Sequence, residues 1–345
     1  MGPSNLAVAA APAGRRRLLL NLLALALLLP TLVGAPATAA PATAVITGAT
    51  TGPTTGPSTG AGFERGVPPT TEADFPRMPR ECYESDGVTV NDQPCRVTRF
   101  GAKRPTLVAW GDSHAWMYLP ALRREARKQR VNLTMIVLGS CPVALPLPRS
   151  RGFGRSGCEN RNLRTLDYLR SLEKRSRADV SVLVGGFWSG YRQAYRRQRQ
   201  ADRTGSDSGL SSYQRHMSTL AVEGAPRMFE RLGRMKLDVD LIGQAATVPL
   251  DPRPCPAGRE PYQCNLPREA ALDREQNNRR WIKRNLRVPL SGRPVLVDAT
   301  PGYCTATTCR ARVGGVNTYY DDIHLGAKLA KTLTGYFKPV IRDLT

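Results

Sequence analysis

Short apolar segments alternate with amphipathic helical patterns along most of the chain, and this alternation limits the fold more than any other feature of the sequence. The apolar segments are rich in β-branched residues. Strands are predicted at 106–110, 133–138, 180–185, 239–243 and 294–298, and helices at 118–129, 161–175, 224–234, 269–285 and 324–342. Nearly continuous apolar strands between helices indicate an α/β fold, in which helices cover both faces of a central parallel sheet of about five strands.

Residues 1–40 have the composition of an export signal. Three arginines at 15–17 precede an apolar run at 18–33, and small residues with the Ala-x-Ala pattern follow at 37–39. These are the basic, apolar and cleavage regions of a secretory signal peptide. The run is shorter than the roughly 20 residues that span a bilayer, which favours cleavage; an uncleaved N-terminal membrane anchor is the alternative. In either case we expect the rest of the chain to be exported.

Residues 41–79 are predicted to be a disordered linker rich in Thr, Pro and Gly. Positions 41–62 contain no charged or aromatic residue and repeat a Thr-Gly-Pro unit. Such a segment buries too little apolar surface to offset its chain entropy. The folded domain is therefore assigned to residues 80–345, and a hydrophobic content of 41% is enough to give it a core.

The chain is strongly basic, with a formal net charge of +22. Only three of its cations lie in the first 40 residues, so the charge belongs to the exported part. A charge of this size favours an anionic neighbour, either a polymer or a membrane surface. Export argues against nucleic acid as a partner, although adhesion to acidic lipid or nucleic acid through charge alone is a weaker alternative.

Eight cysteines fall into four close pairs. Their spacing does not fix the connectivity, but bonding between neighbours is the simplest assignment in an oxidising compartment. The predicted disulfides are Cys82–Cys95, Cys141–Cys158, Cys255–Cys264 and Cys304–Cys309. No pair has the two-residue spacing of a zinc knuckle and the sequence contains three histidines, so we expect neither a metal centre nor a cofactor.

The tetrapeptide Gly111-Asp112-Ser113-His114 follows the first predicted strand directly. In parallel α/β sheets, ligands bind beyond the carboxyl ends of the strands. A serine at this position also lies near the start of a helix, whose free amide groups can stabilise an oxyanion. The motif therefore predicts a nucleophilic serine, and an ordinary turn that contains a serine is the alternative.

A serine nucleophile needs a base, and the histidines are the candidates. His114 is next to the serine, and neighbouring side chains on a tight turn usually diverge. His216 lies in a polar stretch and is predicted to be a surface residue. His324 follows Asp321 by three residues, a spacing at which a carboxylate can orient the imidazole and stabilise its cation. The alternative is that Asp321 or Asp322 only caps the last helix.

These motifs resemble the first and last sequence blocks of the SGNH hydrolase superfamily, which uses serine, histidine and aspartate on a flavodoxin-like, three-layer sandwich. More narrowly, the chain resembles the extracytoplasmic SGNH domain that is often fused to membrane acyltransferase family 3 proteins. The matching features are Gly-Asp-Ser-His-Ala at 111–115, Gly-Ser-Cys-Pro at 139–142, Gly-Phe-Trp-Ser at 186–189, the pair Cys304 and Cys309, and Tyr-Asp-Asp-Ile-His-Leu at 320–325. The resemblance covers about residues 80–345.

The resemblance implies a role for each matching residue. Ser113 would be the nucleophile, His324 the general base and then acid, and Asp321 the residue that orients it. The oxyanion hole would be formed by the Ser113 amide, by Gly139 and by Trp188, which stands where the superfamily has an asparagine. Trp188 keeps one donor, its indole N–H, but is far bulkier. The alternative for Trp188 is a packed aromatic wall of the pocket.

Asp112, His114 and Gly186 are expected in the substrate pocket. The resemblance implies O-acyl transfer or ester hydrolysis, most simply of acetyl groups, on a carbohydrate of the cell envelope through an acyl-Ser113 intermediate. The acyl donor would be a separate, multi-spanning membrane acyltransferase. The alternative is a catalytically weak or inactive glycan-binding or assembly domain that works with such a protein.

The arginine-rich stretch 191–212 is predicted to be a solvated, flexible loop. The alternative is a clamp that attracts an anionic glycan or lipid head group, because arginine forks suit carboxylate and phosphate oxygens. Ser208 within this stretch is discounted as a nucleophile, because no predicted strand precedes it.

Overall fold

The computed structural model describes residues 74–84, 90–91, 93–148, 157–235, 237–248, 261–342 and 344. The predicted signal segment 1–40, most of the predicted linker, and Cys255 lie outside the described residues. Positions 74–79 belong to the predicted linker, but Met78 is buried and Phe75 packs against the core. The packed part of the chain therefore includes residues 74–79. No helix within the described ranges is long and apolar enough to cross a membrane.

The strands are β1 (Cys95–Thr98), β2 (Thr106–Gly111), β3 (Asn132–Val137), β4 (Val180–Gly185), β5 (Asp238–Ile242), β6 (Leu266–Pro267), β7 (Leu296–Val297), β8 (Thr308–Cys309), β9 (Arg312–Val313) and β10 (Val316–Asn317). The helices are α1 (Ser113–Trp116), α2 (Leu119–Gln129), α3 (Gly157–Arg175), α4 (Trp188–Thr204), α5 (Ser212–Thr219), α6 (Ala225–Gly233), α7 (Arg268–Ala271), α8 (Glu275–Ile282), α9 (Ala327–Thr332) and α10 (Lys338–Arg342). Two π-helical turns, Leu220–Gly224 and Lys283–Arg287, follow α5 and α8 directly.

The central sheet has six strands in the order β1-β3-β2-β4-β5-β7. The five strands from β3 to β7 in this order are parallel, which confirms the predicted parallel sheet. Numbered along the chain, these five lie in the order 2-1-3-4-5, the flavodoxin-like arrangement. The edge strand β1 pairs with β3 antiparallel and was not predicted.

Alternate side chains of each strand enter two different cores, as a sheet covered on both faces requires. Leu107 and Ala109 of β2 pack into one core together with residues of α2 and α9. Val108 and Trp110 of the same strand pack into the other core with residues of α3 and α6. The result is the predicted three-layer α/β sandwich.

Two opposed glycines close the carboxyl ends of β2 and β4. Gly111 is paired with Gly185 in the parallel ladder. A Cβ atom at Gly111 would lie 2.0 Å from the Gly185 carbonyl oxygen, and one at Gly185 would lie 2.9 Å from the Ala115 Cβ atom of α1. The absence of side chains here allows α1 to begin directly over the ends of both strands. Because the strand order reverses between β2 and β4, this is the switch point where α/β sheets bind ligands.

The arginine-rich stretch 191–212 is not a loop, as predicted, but mostly the helix α4. Tyr191, Ala194 and Ala201 are buried at helical spacing on one side of α4, and Gly205, with φ +64°, ends the helix. The polar composition of the stretch concealed this pattern, because only a few small or aromatic residues mark the buried side. Arginine and glutamine are good helix formers, so the polar face does not oppose the helix.

Three of the four predicted disulfides are present: Cys82–Cys95, Cys141–Cys158 and Cys304–Cys309. Cys264 is also disulfide-bonded, and its predicted partner lies outside the described residues. The first bond joins the N-terminal segment to β1, and the second joins the loop after β3 to α3. The first bond therefore fixes the N-terminal segment to the edge strand, and the second fixes the loop after β3 to a helix.

The close approach of β2 and β4 predicts that Gly111→Ala lowers the free energy of unfolding by about 3 kcal/mol, because the new methyl group forces two paired strands apart. Gly335→Ala is the matched control, since a Cβ atom at Gly335 meets nothing within 4 Å, and its effect should stay within about 0.5 kcal/mol. Urea unfolding of both variants measures the difference. Equal stabilities for the two variants would contradict the packing described for Gly111.

Candidate active site

The turn between β2 and α1 presents Ser113 at the carboxyl edge of the sheet. Asp112 is the N-cap of α1, and its Oδ1 atom accepts a hydrogen bond of 2.8 Å from the His114 amide. This capping bond satisfies one of the free amides at the start of the helix. Ser113 is then the first residue of α1 and is half-buried at the switch point.

Ser113, His324 and Asp321 form one hydrogen-bonded chain. His324 Nε2 lies 2.7 Å from Ser113 Oγ. On the other side of the ring, Nδ1 lies 2.8 Å from Asp321 Oδ2 and 3.0 Å from Oδ1. The carboxylate thus holds the proton on Nδ1 and leaves Nε2 able to accept the serine proton. This geometry is what general-base activation of a serine requires.

Asp321 is held by its own loop. Its Oδ1 atom accepts hydrogen bonds from the amides of Ile323 and His324, at 2.8 and 2.7 Å. Burial raises the pKa of this carboxyl, but the hydrogen bond and the charge of His324, together with the two amides, outweigh burial and hold the pKa below its ordinary value. The carboxylate is therefore ionised at neutral pH and able to stabilise an imidazolium.

The helix that follows His324, α9, receives its capping hydrogen bonds from a different aspartate, Asp74. α9 begins at Ala327, and the carboxylate oxygens of Asp74 accept from the Lys328 amide at 3.1 and 3.2 Å. The Asp74 carbonyl accepts from the Ala327 amide. The sequence left open that Asp321 or Asp322 only caps this helix. For Asp321 that alternative is wrong, because its carboxylate is directed to His324.

Phe75 contacts the site from the N-terminal segment. Its ring lies edge-on to the His324 ring at 5.2 Å and to Trp116 at 5.3 Å, and it also contacts Tyr320 at 5.4 Å. Asp74 and Phe75 fall in the stretch predicted as linker, so sequence reasoning missed both. No motif marks them, and only their contacts with the loop around His324 reveal them.

Hydrogen bonds to Asp112 connect the turn that carries Ser113 to the start of α4. Its Oδ2 atom accepts from the Phe187 amide and from the Tyr191 hydroxyl, both at 2.8 Å. Burial raises the pKa of this carboxyl to about 6, although its three donors favour the charged form. Asp112 therefore fixes two neighbouring loops at the switch point. The sequence predicted no role for Tyr191 or for Phe187, although Phe187 lies in the matching block at 186–189.

His114 lies beneath the site, and the imidazole that contacts Ser113 Oγ is that of His324. Its ring is stacked on Phe187, with centroids 4.4 Å apart and planes 5° apart, and 3% of the residue is exposed. Burial, with the nearby His324, lowers the pKa of His114 well below its ordinary value, so the ring is neutral. The predicted pocket residues Asp112, His114 and Gly186 are all buried and contact the residues of the site rather than solvent.

Trp188 is buried completely, and its ring contacts Phe229 and Trp281 at centroid distances of 6.2 and 6.1 Å. Its indole Nε1 is closed to solvent and has no hydrogen-bond partner among the described residues. This orientation is that of a packed wall, the alternative open from the sequence. Gly139 lies in the turn that follows β3, at the same sheet edge as Ser113.

His216 is mostly buried, not a surface residue as predicted. Its Nε2 atom lies 3.2 Å from Glu159 Oε2, and 12% of its side chain is exposed. It pairs α5 with α3 and takes no part in the hydrogen-bonded chain around Ser113.

Comparison with known protein families assigns the chain to one of them. The family described as "SGNH domain (fused to AT3 domains)" matches residues 81–339. The match covers most of the sequence, so the protein belongs to this family, as the resemblance of its motifs indicated. The chain is also similar to the periplasmic domain of the lipopolysaccharide acetyltransferase of Salmonella ser. Paratyphi A, with 14% identity, a TM-score of 0.45, and coverage of 70% of this chain and 85% of that chain. No curated protein matches the chain.

The contacts of His324 predict that Asp321→Asn lowers kcat on a chromogenic acetate ester by about 10³–10⁴-fold, because the amide favours the wrong tautomer of the imidazole. Asp322→Asn is the matched control, since it makes the same chemical change at the next position, which is exposed. Its kcat should remain near that of the parent. Similar losses in both variants would contradict the assignment of Asp321.

Buried Asp112 predicts a pH dependence of stability. Its pKa in the folded protein, about 6, exceeds the ordinary value of 3.8, so the folded state binds the proton more tightly than the unfolded state. The contribution of this group to the free energy of unfolding therefore falls as the pH rises from about 4 to about 6, by up to about 3 kcal/mol. Asp112→Asn lacks this titration, and urea unfolding at several pH values measures the difference between parent and variant. A constant difference across this range would contradict the buried carboxyl.

Proposed function

We propose that the protein is an exported, serine-dependent O-acyltransferase or esterase that acts on a carbohydrate of the cell envelope through an acyl-Ser113 intermediate. The observation that carries this proposal is the hydrogen-bonded chain of Ser113, His324 and Asp321 at the switch point of the sheet. Acetyl is the simplest acyl group for the reaction.

In the first step, Ser113 Oγ attacks the acyl carbonyl carbon and its proton passes to His324 Nε2. The tetrahedral intermediate collapses when the bond to the leaving alcohol breaks and His324 returns the proton to that alcohol. In the second step, a sugar hydroxyl or water gives its proton to His324 and attacks the acyl-serine, and Ser113 leaves with the proton restored. Asp321 stays ionised and stabilises the imidazolium formed in both steps.

The oxyanion of each tetrahedral intermediate is assigned to the amide of Ser113 and to Gly139, at the same sheet edge. Trp188 stands in place of an asparagine, and its buried Nε1 is not open to a substrate oxygen. One missing oxyanion donor raises the barrier by about 2.7–4 kcal/mol. The missing donor slows hydrolysis and transfer alike. We expect transfer to a bound sugar hydroxyl to be faster than hydrolysis by water, because the bound sugar is held in place for attack.

The acyl donor is proposed to be a separate, multi-spanning membrane acyltransferase. The support is the family itself, whose SGNH domains are fused to AT3 domains. An extracytoplasmic location is supported by the disulfides, which persist in oxidising compartments, and by the export signal in the sequence.

A second candidate is a catalytically weak or inactive domain that binds or assembles envelope glycan. The observation that favours it is the burial of Trp188 Nε1 where the superfamily has an asparagine. The two candidates differ in one respect that can be measured: only the first forms a covalent acyl-serine.

Incubation with a chromogenic acetate ester and rapid acid quenching should give an acetyl group on the peptide that contains Ser113, detected by mass spectrometry. Ser113→Ala should lose both the adduct and the ester turnover. Ser208→Ala, at a second Asp-Ser pair outside the site, is the control and should keep both. Turnover in Ser113→Ala as fast as in the parent, or no adduct in the parent, would contradict the proposal.

A further inference from the structure

Four arginines form one row along the helix that begins beside the site. They are Arg192, Arg196, Arg199 and Arg203 of α4, here called the basic row. Their spacing of four, three and four residues puts them on one face of the helix, over a length of about 16 Å. The buried residues of α4 are Trp188, Tyr191, Ala194 and Ala201, so the basic row lies outside the buried side of the helix. Arg199 and Arg203 are exposed.

No residue of the basic row forms a salt bridge with any carboxylate in the described part of the chain. Arg192 is instead held by uncharged groups of α8. Its guanidinium donates to Asn278 Oδ1 and to the Asn277 carbonyl, and lies 5.2 Å above the Trp281 ring. A cation fixed in this way is oriented in advance for an anion that the protein does not itself supply.

Like charges are kept close together in this region. Burial and the charge of Arg196 lower the pKa of Arg192 to about 10. Burial and Arg274 lower the pKa of Arg196, and Asp273 offsets part of this effect. Repulsion between neighbouring cations destabilises the fold, so such an arrangement is expected at a functional surface rather than at an arbitrary one.

The basic row begins one residue after Tyr191, a residue of the site. Tyr191, which precedes Arg192, donates to Asp112, the residue before Ser113. Further along α4, the last three arginines of the row, together with Tyr195, Gln200 and Thr204, line an open surface depression of about 490 Å³. A row of cations therefore runs from the residue after Tyr191 to a surface depression lined by arginine, glutamine, threonine and tyrosine side chains.

We propose that the basic row binds an acidic glycan chain, through carboxylate or phosphate groups carried along it, and leads that chain to Ser113. This inference rests on the proposed function and narrows its substrate from envelope carbohydrate in general to an anionic one. Guanidinium forks suit carboxylate and phosphate oxygens and retain their charge at every physiological pH.

A glycan fits this surface better than a membrane. A helix that lies on a bilayer exposes large apolar side chains beside its cations. The apolar residues of α4 face the core, and the large hydrophobic residues exposed in the described ranges are Tyr213 and Val288, neither of which belongs to α4. Gln200, beside the arginines, is exposed and offers an amide of the kind that sugar hydroxyls bind; the Tyr195 hydroxyl already donates to Glu223.

The test measures binding of the full-length protein to polygalacturonate oligomers by calorimetry, with dextran oligomers as the uncharged probe. The first variant combines Arg192→Gln, Arg196→Gln, Arg199→Gln and Arg203→Gln. The matched control combines Arg123→Gln, Arg124→Gln, Arg127→Gln and Lys128→Gln, which removes the same charge from α2, a helix of the other core. A second variant combines Arg199→Gln with Arg203→Gln and leaves the contacts of Arg192 intact. It tests the same surface if the fourfold variant fails to fold.

We expect the fourfold variant to bind polygalacturonate at least tenfold more weakly than the parent, the double variant to be intermediate, and the α2 control to change less than twofold. The parent should bind dextran much more weakly than polygalacturonate, and its binding should weaken with added salt. Equal losses in the row variant and the α2 control would overturn the inference, because binding would then follow net charge alone.

Anionic phosphatidylglycerol vesicles distinguish a membrane from a glycan as the source of the anion. A greater loss of vesicle binding than of polygalacturonate binding in the row variants would overturn the inference in favour of a lipid surface. Binding is measured without an acyl donor, so its result does not depend on the chemistry of Ser113. If no acyl-Ser113 forms but the basic row still binds polygalacturonate selectively, the proposed reaction fails while the binding surface stands.

Discussion

The hydrogen bond between His324 Nε2 and Ser113 Oγ joins two parts of the chain that are 211 residues apart. The two atoms lie 2.7 Å apart, and contacts around Ser113 and around His324 hold them in place. On the serine side, the Gly111–Gly185 pair lets α1 begin directly over the strand ends. On the histidine side, Asp321 fixes the imidazole from within its own loop. The site is therefore a property of the sheet edge as a whole, because neither part holds the geometry alone.

Asp112 performs a different task from the aspartate of the hydrogen-bonded chain, although it stands next to the nucleophile. It is buried and accepts hydrogen bonds from both loops at the switch point, and its pKa is raised. Asp321 is partly exposed and its pKa is lowered. Two carboxyl groups of one site are thus assigned different roles by their surroundings. Asp112 builds the turn, and Asp321 is proposed to stabilise the charge of the imidazolium.

The sequence predicts the part of the structure that local pattern controls. The continuous apolar segments between helices predicted the five parallel strands. The motifs Gly-Asp-Ser and Asp-x-x-His predicted the three residues that meet at the sheet edge. The sequence pattern did not predict the structure where few residues of an element are buried, or where the contacting residues are far apart in the chain. α4 reads as polar because few of its residues are buried, and Phe75 reaches His324 only through the tertiary fold. The Trp188 ring contacts Phe229 and Trp281. No local motif predicts these contacts, so the orientation of Trp188 could not be predicted from the sequence.

The proposed reaction requires a serine made reactive by a distant histidine, and the rate of labelling by a fluorophosphonate tests this requirement directly. Such a reagent phosphonylates serines whose proton is removed by a neighbouring base. We predict that the intact protein is labelled on Ser113 and that His324→Ala slows labelling by at least a hundredfold, while the fold is preserved. If His324→Ala reacted as fast as the parent, or if Ser113 stayed unlabelled, the hydrogen-bonded chain would have no chemical consequence and the proposed mechanism would be wrong.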